Sequence, residues 1–149
     1  MFKYCVWYSL KPQHIIHKQI SLYAKAFKTS SFPAHITIRD TLEYEEAKRV
    51  FKHFKTMNNI YSFSPYGKPK MTYAKIDNKD FYAIEQAVRI NDVGVKGLHL
   101  SLAYRIGKEF SPAELAIVSE IPSIKKKDIC IALADCSSDD PQQWNILSI

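Results

Sequence analysis

The sequence predicts a single α+β domain with an internal duplication. Segments with the apolar pattern of strands occur in turn with segments whose apolar residues recur at helical spacing. A short polar-apolar strand that lies between two helices occurs twice. The 149 residues include no linker or low-complexity segment, so we expect one domain over residues 1–149.

The first half of the chain is predicted to hold two strands and two helices. Tyr4 to Leu10 is an aromatic and β-branched run that ends at Lys11-Pro12, as a buried strand does. Pro12 suits the first turn of a helix. The apolar face of this helix consists of Ile16, Ile20, Tyr23 and Phe27. A strand over His35 to Arg39 follows, and Thr41 can cap the second helix. Its buried face is predicted to consist of Ala47, Val50, Phe51 and Phe54.

The second half is predicted to continue with strands, a third helix and a capped fourth helix. Phe81, Ile84 and Val88 have the spacing of a helix face. Ser111 to Glu114 combines a capping box with proline at the first helical position, which predicts a helix through Ile121. Asn91 to Gly97 is predicted to be a loop. The strands are expected at Tyr61 to Phe63, Lys70 to Ile76, His99 to Arg105, Asp128 to Ala134 and Gln143 to Ile149.

Two copies of a His-x-Thr/Ser motif are the chemically informative feature of the chain. Side chains i and i+2 of a strand share a face, so His35 and Thr37 point one way and His99 and Ser101 do the same on their own strand. One such tripeptide occurs often by chance, as a polar position on a half-exposed strand. Two copies, each placed after a helix and before a capped helix, favour a shared site with two imidazoles and two hydroxyls.

This set of side chains suits cleavage of a phosphate ester. In-line displacement at phosphorus needs a base for the attacking water, an acid for the leaving oxygen, and donors for the equatorial oxygens. Histidine serves both proton roles near neutral pH. We therefore expect His35 and His99 to act as acid and base, in an order that the sequence leaves open, beside Thr37 and Ser101.

The paired motifs resemble those of the 2H phosphoesterase superfamily, and the resemblance spans essentially the whole chain. It implies a bilobal, duplicated α+β fold with two antiparallel sheets flanking a central cleft and helices outside. Within the superfamily the chain is similar to the yeast and plant cyclic phosphodiesterases. That branch is indicated by the early strand with Val6-Trp7-Tyr8, by His35-Ile36-Thr37-Ile38, and by His99-Leu100-Ser101-Leu102-Ala103-Tyr104.

The resemblance implies metal-independent hydrolysis, without a cofactor, of nucleoside 2',3'-cyclic phosphates or ADP-ribose 1'',2''-cyclic phosphate. Thr37 and Ser101 would hold the phosphate and Tyr104 would line the pocket. The chain is shorter than the plant enzymes and lacks their cysteine pairing, so the exact substrate does not carry over. Two alternatives stay open. One is cleavage of 2'-5' oligoadenylate or cyclic dinucleotides, as in some viral and phage members, and the other is an RNA-binding module without turnover.

Four further residues are predicted to contact the substrate. Aromatic faces stack nucleobases, which makes Trp7 a candidate alongside core packing. Tyr104 falls on the face of Leu100 and Leu102 by strict alternation, so it reaches the cleft only if the strand bends or ends there. Arg39 and Arg105 share the motif faces by parity, where a guanidinium could hold a second phosphate, although strand ends are also often solvated.

Composition and the remaining histidines set the expected partners and surroundings. The formal charge of +6 favours a small nucleotide or an RNA end as partner. His14 and His17 are read as helix-surface residues because no carboxylate or cysteine cluster accompanies them, so no metal site is expected. An odd number of cysteines without CxxC spacing, and the lack of a leader or a long apolar run, predict a protein of the cytosol or nucleus with no membrane. A monomer with no obligate protein partner is expected because one chain supplies the entire site.

Overall fold

The computed structural model describes residues 1–91 and 97–149 and has the expected α+β class. Part of the loop predicted between Asn91 and Gly97, residues 92–96, lies outside the described residues. The helices are α1 (Ile15–Phe27), α2 (Tyr44–Met57) and α3 (Pro112–Ala116). The strands are β1 (Tyr4–Leu10), β2 (His35–Leu42), β3 (Phe63–Pro65), β4 (Lys70–Ile76), β5 (Lys79–Ile90), β6 (Leu98–Ile106), β7 (Ile129–Asp135) and β8 (Asn145–Ser148).

In the described part of the chain, the eight strands form one antiparallel sheet, whereas the family resemblance implies two sheets flanking a cleft. Its order is β3-β5-β6-β2-β1-β7-β8, and β4 pairs with the remaining length of the β5 edge. The two halves of this sheet meet between β2 and β6, where Ile36 and Leu100 are the only paired residues among those described. Strands held together at one point diverge on either side of it, so this junction leaves room for a cleft.

The helix predicted from Phe81, Ile84 and Val88 is wrong, because this segment is strand β5. Phe81 lies on one face of the strand, whereas Ile84 and Val88 lie on the other, and all three are buried. A strand that is buried on both faces can carry apolar residues at odd and at even positions. In this strand the spacing of the apolar residues equals that of a helix face. The second motif therefore follows a strand instead of a helix.

The helices begin where side chains satisfy their free backbone N–H groups, and two of these caps differ from expectation. His14 caps α1 by accepting a hydrogen bond at Nδ1 from the backbone N–H of Ile16. Glu43, and not Thr41, is the N-cap residue of α2, because Thr41 has a φ of 56° and belongs to β2. The capping box of Ser111 and Glu114 is confirmed, although α3 ends at Ala116.

Both longer helices cover the sheet with the apolar faces that the sequence predicts. α1 packs against β6, and α2 packs against β1 and β7. The buried residues of α1 are Ile16, Ile20, Ala24 and Phe27. Ala47 is the buried residue of α2, with Val50, Phe51 and Phe54 packed partly buried against the same core. Among residues 1–91 and 97–149, no helix combines the length and apolarity needed to cross a membrane.

Candidate active site

The two His-x-Thr/Ser motifs are brought side by side at the junction between β2 and β6. Ile36 and Leu100, the central residues of the motifs, pair antiparallel. This register sets each histidine across from the hydroxyl residue of the other motif. All four motif side chains border one cleft of about 640 Å³, a volume typical of small-molecule sites. They are His35, Thr37, His99 and Ser101.

Each motif strand has an extra residue, relative to its neighbour, three positions after its histidine, and β2 has a second irregularity between Arg39 and Leu42. The pairing of β2 with β1 skips Ile38, and the pairing of β6 with β5 skips Leu102. Such a β-bulge reverses the facing of the residues that follow it. Tyr104 is thereby turned onto the face of His99 and Ser101, and it borders the cleft as the family resemblance implied.

The bulge at Leu102 overturns the parity argument for Arg105. Arg105 points away from the cleft, donating to the backbone oxygen of Phe27 and to the Glu114 carboxylate, 2.6 Å from Nη2 to Oε2. This bond is the main reason why the pKa of Glu114 falls to about 2. Arg39 still borders the cleft, but its Nη2 lies 3.8 Å from Oε1 of Glu46 on α2.

The strand beside each motif places a different side chain at the equivalent position. Trp7 on β1 pairs with Thr37, and Glu85 on β5 pairs with Ser101. Both residues border the cleft. The two motif histidines therefore share a sequence pattern and differ in the residue that lies next to them.

His35 is enclosed by aromatic rings and held by one backbone carbonyl. Its ring stacks on Trp7 with centroids 3.7 Å apart and an interplanar angle of 13°. Its Nδ1 lies 2.7 Å from the carbonyl oxygen of Pro33, which can only accept, so Nδ1 carries the proton. Burial lowers the pKa of His35 to about 4, so the ring is neutral near pH 7 and Nε2 keeps a free lone pair.

His99 is more open to solvent and lies beside an acidic side chain. Its side chain is 45% exposed, whereas the His35 residue is only 4% exposed. The Nε2 atom of His99 lies 3.4 Å from Oε1 of Glu85. That same oxygen accepts a hydrogen bond of 3.1 Å from Oγ1 of Thr72 on β4.

The hydroxyl groups of the site differ in burial and in their partners. Ser101 is buried and forms a hydrogen bond with Tyr104, whereas Thr37 is partly exposed. Burial raises the pKa of Tyr104, so its hydroxyl stays protonated and remains a hydrogen-bond donor. The Ser101 side therefore offers two linked hydroxyls where a phosphate oxygen can bind.

The aromatic residues of the cleft are mostly engaged with one another. Trp7 is 1% exposed and its face is covered by His35, so the prediction that it stacks a base is not supported by its position. Trp144 is also buried, against Phe32, Tyr104 and His35. Tyr73 on β4 is an exposed ring at the cleft, which leaves it the best-placed aromatic surface for a substrate.

His17, which lies outside the motifs, forms hydrogen bonds that support the fold. Both ring nitrogens of His17 are bonded, Nε2 to the carbonyls of Leu10 and Lys11 and Nδ1 to the N–H of Ala34. His17 therefore ties the end of β1 to the residue before His35. In the described ranges, no three His, Cys, Asp or Glu side chains cluster as a metal site requires.

Glu85 and Thr72 are the functional candidates that sequence reasoning missed. Glu85 falls in the segment predicted as a helix, and its neighbours in the cleft come from other strands. Thr72 lies on the neighbouring β4, and no residue pattern marks it. Glu85 can be identified as a candidate only if β5 is assigned as a strand that pairs with the strand of His99.

Together, the fold and the cleft define an α+β protein with two histidines and two hydroxyls facing one pocket. No protein-family model matches this chain. No curated protein matches it at a significant level either.

Proposed function

We propose that this chain is a phosphodiesterase that opens cyclic phosphates by acid-base catalysis between His35 and His99. The substrate class that fits best is a nucleoside 2',3'-cyclic phosphate or ADP-ribose 1'',2''-cyclic phosphate. The observation that carries the proposal is the antiparallel register of Ile36 and Leu100, which gathers both motifs at one cleft. Two imidazoles supply the proton transfers, and the hydroxyls of Thr37 and Ser101 supply donors to the phosphate oxygens.

The matched bulges support the duplicated, bilobal fold of the 2H phosphoesterases as part of this proposal. An extra residue at Ile38 and another at Leu102 occupy corresponding places in the two motif strands. Bulges tend to be kept where they direct a side chain into a site. Two bulges at the same offset from two histidines are expected if both halves of the cleft descend from one ancestral unit.

The test is a hydrolysis assay in EDTA with four substrates. These are nucleoside 2',3'-cyclic phosphates, ADP-ribose 1'',2''-cyclic phosphate, 2'-5' oligoadenylate and cyclic dinucleotides. We expect turnover of one of the first two, and loss of roughly 10²-fold or more in His35→Ala and in His99→Ala. His53→Ala, which removes an exposed histidine of α2 outside the cleft, is the matched control and should stay active.

Other outcomes of this assay would redirect the proposal. Cleavage of only the oligoadenylate or the dinucleotides would assign the same chemistry to signalling nucleotides. Absence of any cleavage, together with tight binding of RNA, would show a binding module and would overturn the hydrolase assignment. Activity that survives both histidine variants would place the chemistry elsewhere.

A further inference from the structure

The two motif histidines are alike in sequence, so their roles must come from their neighbours. Trp7 and Glu85 occupy equivalent places, each paired with the hydroxyl residue of a motif. The tryptophan stacks on His35, and the carboxylate lies 3.4 Å from His99. One ring therefore has an apolar neighbour and the other has an anionic one.

The surroundings of His35 favour a neutral ring with a free lone pair. Burial away from water disfavours a positive charge on this ring, and His35 is only 4% exposed. The carbonyl of Pro33 fixes the proton on Nδ1, at 2.7 Å. Nε2 is then the nitrogen able to accept a proton from an attacking water.

His99 lies beside a carboxylate that is itself held in place. Glu85 is not a free surface carboxylate, because its side chain is only 24% exposed and Thr72 donates to its Oε1. These contacts hold the carboxylate next to the imidazole instead of letting it turn to solvent. The other titratable side chains that border the cleft in its described part are Cys5, Arg39, Asp40, Tyr73, Tyr104 and Cys136.

We propose that Glu85, held by Thr72, is a positioning residue that orients the His99 imidazole for proton donation, so that His99 is the acid and His35 the base. This inference rests on the proposed function. Water gives a proton to Nε2 of His35 while its oxygen forms the new bond to phosphorus. The bond from phosphorus to the leaving ribose oxygen breaks, and that oxygen takes a ring proton from His99. Exchange with solvent restores both rings, and the net change is the addition of one water.

The experiment is the pH dependence of kcat and KM for Glu85→Gln, with the 2',3'-cyclic substrate. Glutamine keeps the shape of the side chain and can still accept from Thr72, but it carries no charge. We expect kcat near neutral pH to fall by about tenfold or more. The alkaline limb of the profile should move to lower pH, with the acid limb and KM nearly unchanged. Glu85→Asp should recover part of the loss, and Thr72→Val should move the alkaline limb in the same direction by less.

Asp77→Asn is the matched control, since it removes one negative charge from the exposed β4–β5 turn without touching the cleft. A uniform loss at every pH in Glu85→Gln would indicate a merely structural role and overturn the inference. A wild-type profile in Glu85→Gln would overturn it equally. If the wild-type chain hydrolyses none of the four substrates, the proposed function itself fails, which is a distinct result.

Discussion

In the β1–β2 half of the cleft the motif histidine lies under a tryptophan, whereas in the β5–β6 half it lies beside a carboxylate. The strands that carry the motifs are otherwise alike, with a bulge at the same offset from each histidine. The difference shows how one tripeptide, used twice, can place two histidines in unlike surroundings, one enclosed by aromatic rings and one next to an acidic side chain. It is the partner strand, and not the motif, that distinguishes them.

The largest expected effect separates the two histidines by leaving group. A ribose oxygen needs a proton to leave, whereas 4-nitrophenolate is stable as an anion and does not. His99→Ala should lower activity on both the cyclic substrate and thymidine 3'-(4-nitrophenyl phosphate). We expect the fold-loss on the nitrophenyl ester to be smaller than the fold-loss on the cyclic substrate by about tenfold or more. His35→Ala should lose activity on both substrates to a similar degree, because each reaction still needs an activated water.

The kcat/KM ratios of the two variants on the two substrates are the measurement. If the good leaving group instead rescues His35→Ala, then His35 is the acid and His99 is the base. Equal losses for both variants on both substrates would show that neither ring is specialised as the acid.

The second comparison concerns stability, since Trp7 is a core residue and Glu85 is not. Trp7→Ala removes a fully buried ring, and such changes cost about 3–5 kcal/mol of unfolding free energy. Glu85→Ala removes the hydrogen bond from Thr72 and the contact with His99 at a part-exposed site, so we expect a cost of about 1 kcal/mol. Urea denaturation of the two variants measures both. A Glu85 variant as unstable as the Trp7 variant would mean that this carboxylate holds the fold together, which weakens its assignment to the site.

Much of the architecture follows from local sequence signals, and the exceptions have a common cause. The Ser111 capping box, the apolar face of α1 and the strand before Pro12 are each specified by neighbouring residues, and all three are confirmed. Strand β5 was mistaken for a helix because both of its faces are buried, which depends on layers formed by distant parts of the chain.

The site shows the same division between local and long-range information. The motif residues were identified from their own spacing, and the structure brings them to one cleft. The facing of Tyr104 and of Arg105 depends on the bulge at Leu102, and no residue type marks a bulge of this kind. Glu85 meets His99 only across the strand pairing, so a linear pattern cannot reveal it.

The last prediction concerns how stability depends on pH, and it probes the enclosed state of His35 directly. Burial lowers its pKa to about 4 from the ordinary value near 6.5. Between these values the unfolded chain binds the proton more readily than the folded chain, so this group makes stability fall as pH decreases from about 6.5 to about 4. At higher pH both forms are neutral and the contribution is constant. In His35→Gln this part of the pH dependence should be absent.

Subtracting the unfolding free energies of His35→Gln from those of the wild type, from pH 7.5 down to pH 4, isolates this contribution from those of the other four histidines. We expect the difference to decline towards acid and to level off above about pH 7. A flat difference would mean that His35 titrates alike in both states. In that case the aromatic enclosure by Trp7 does not keep the ring neutral, and the contrast between the two halves of the cleft would rest on Glu85 alone.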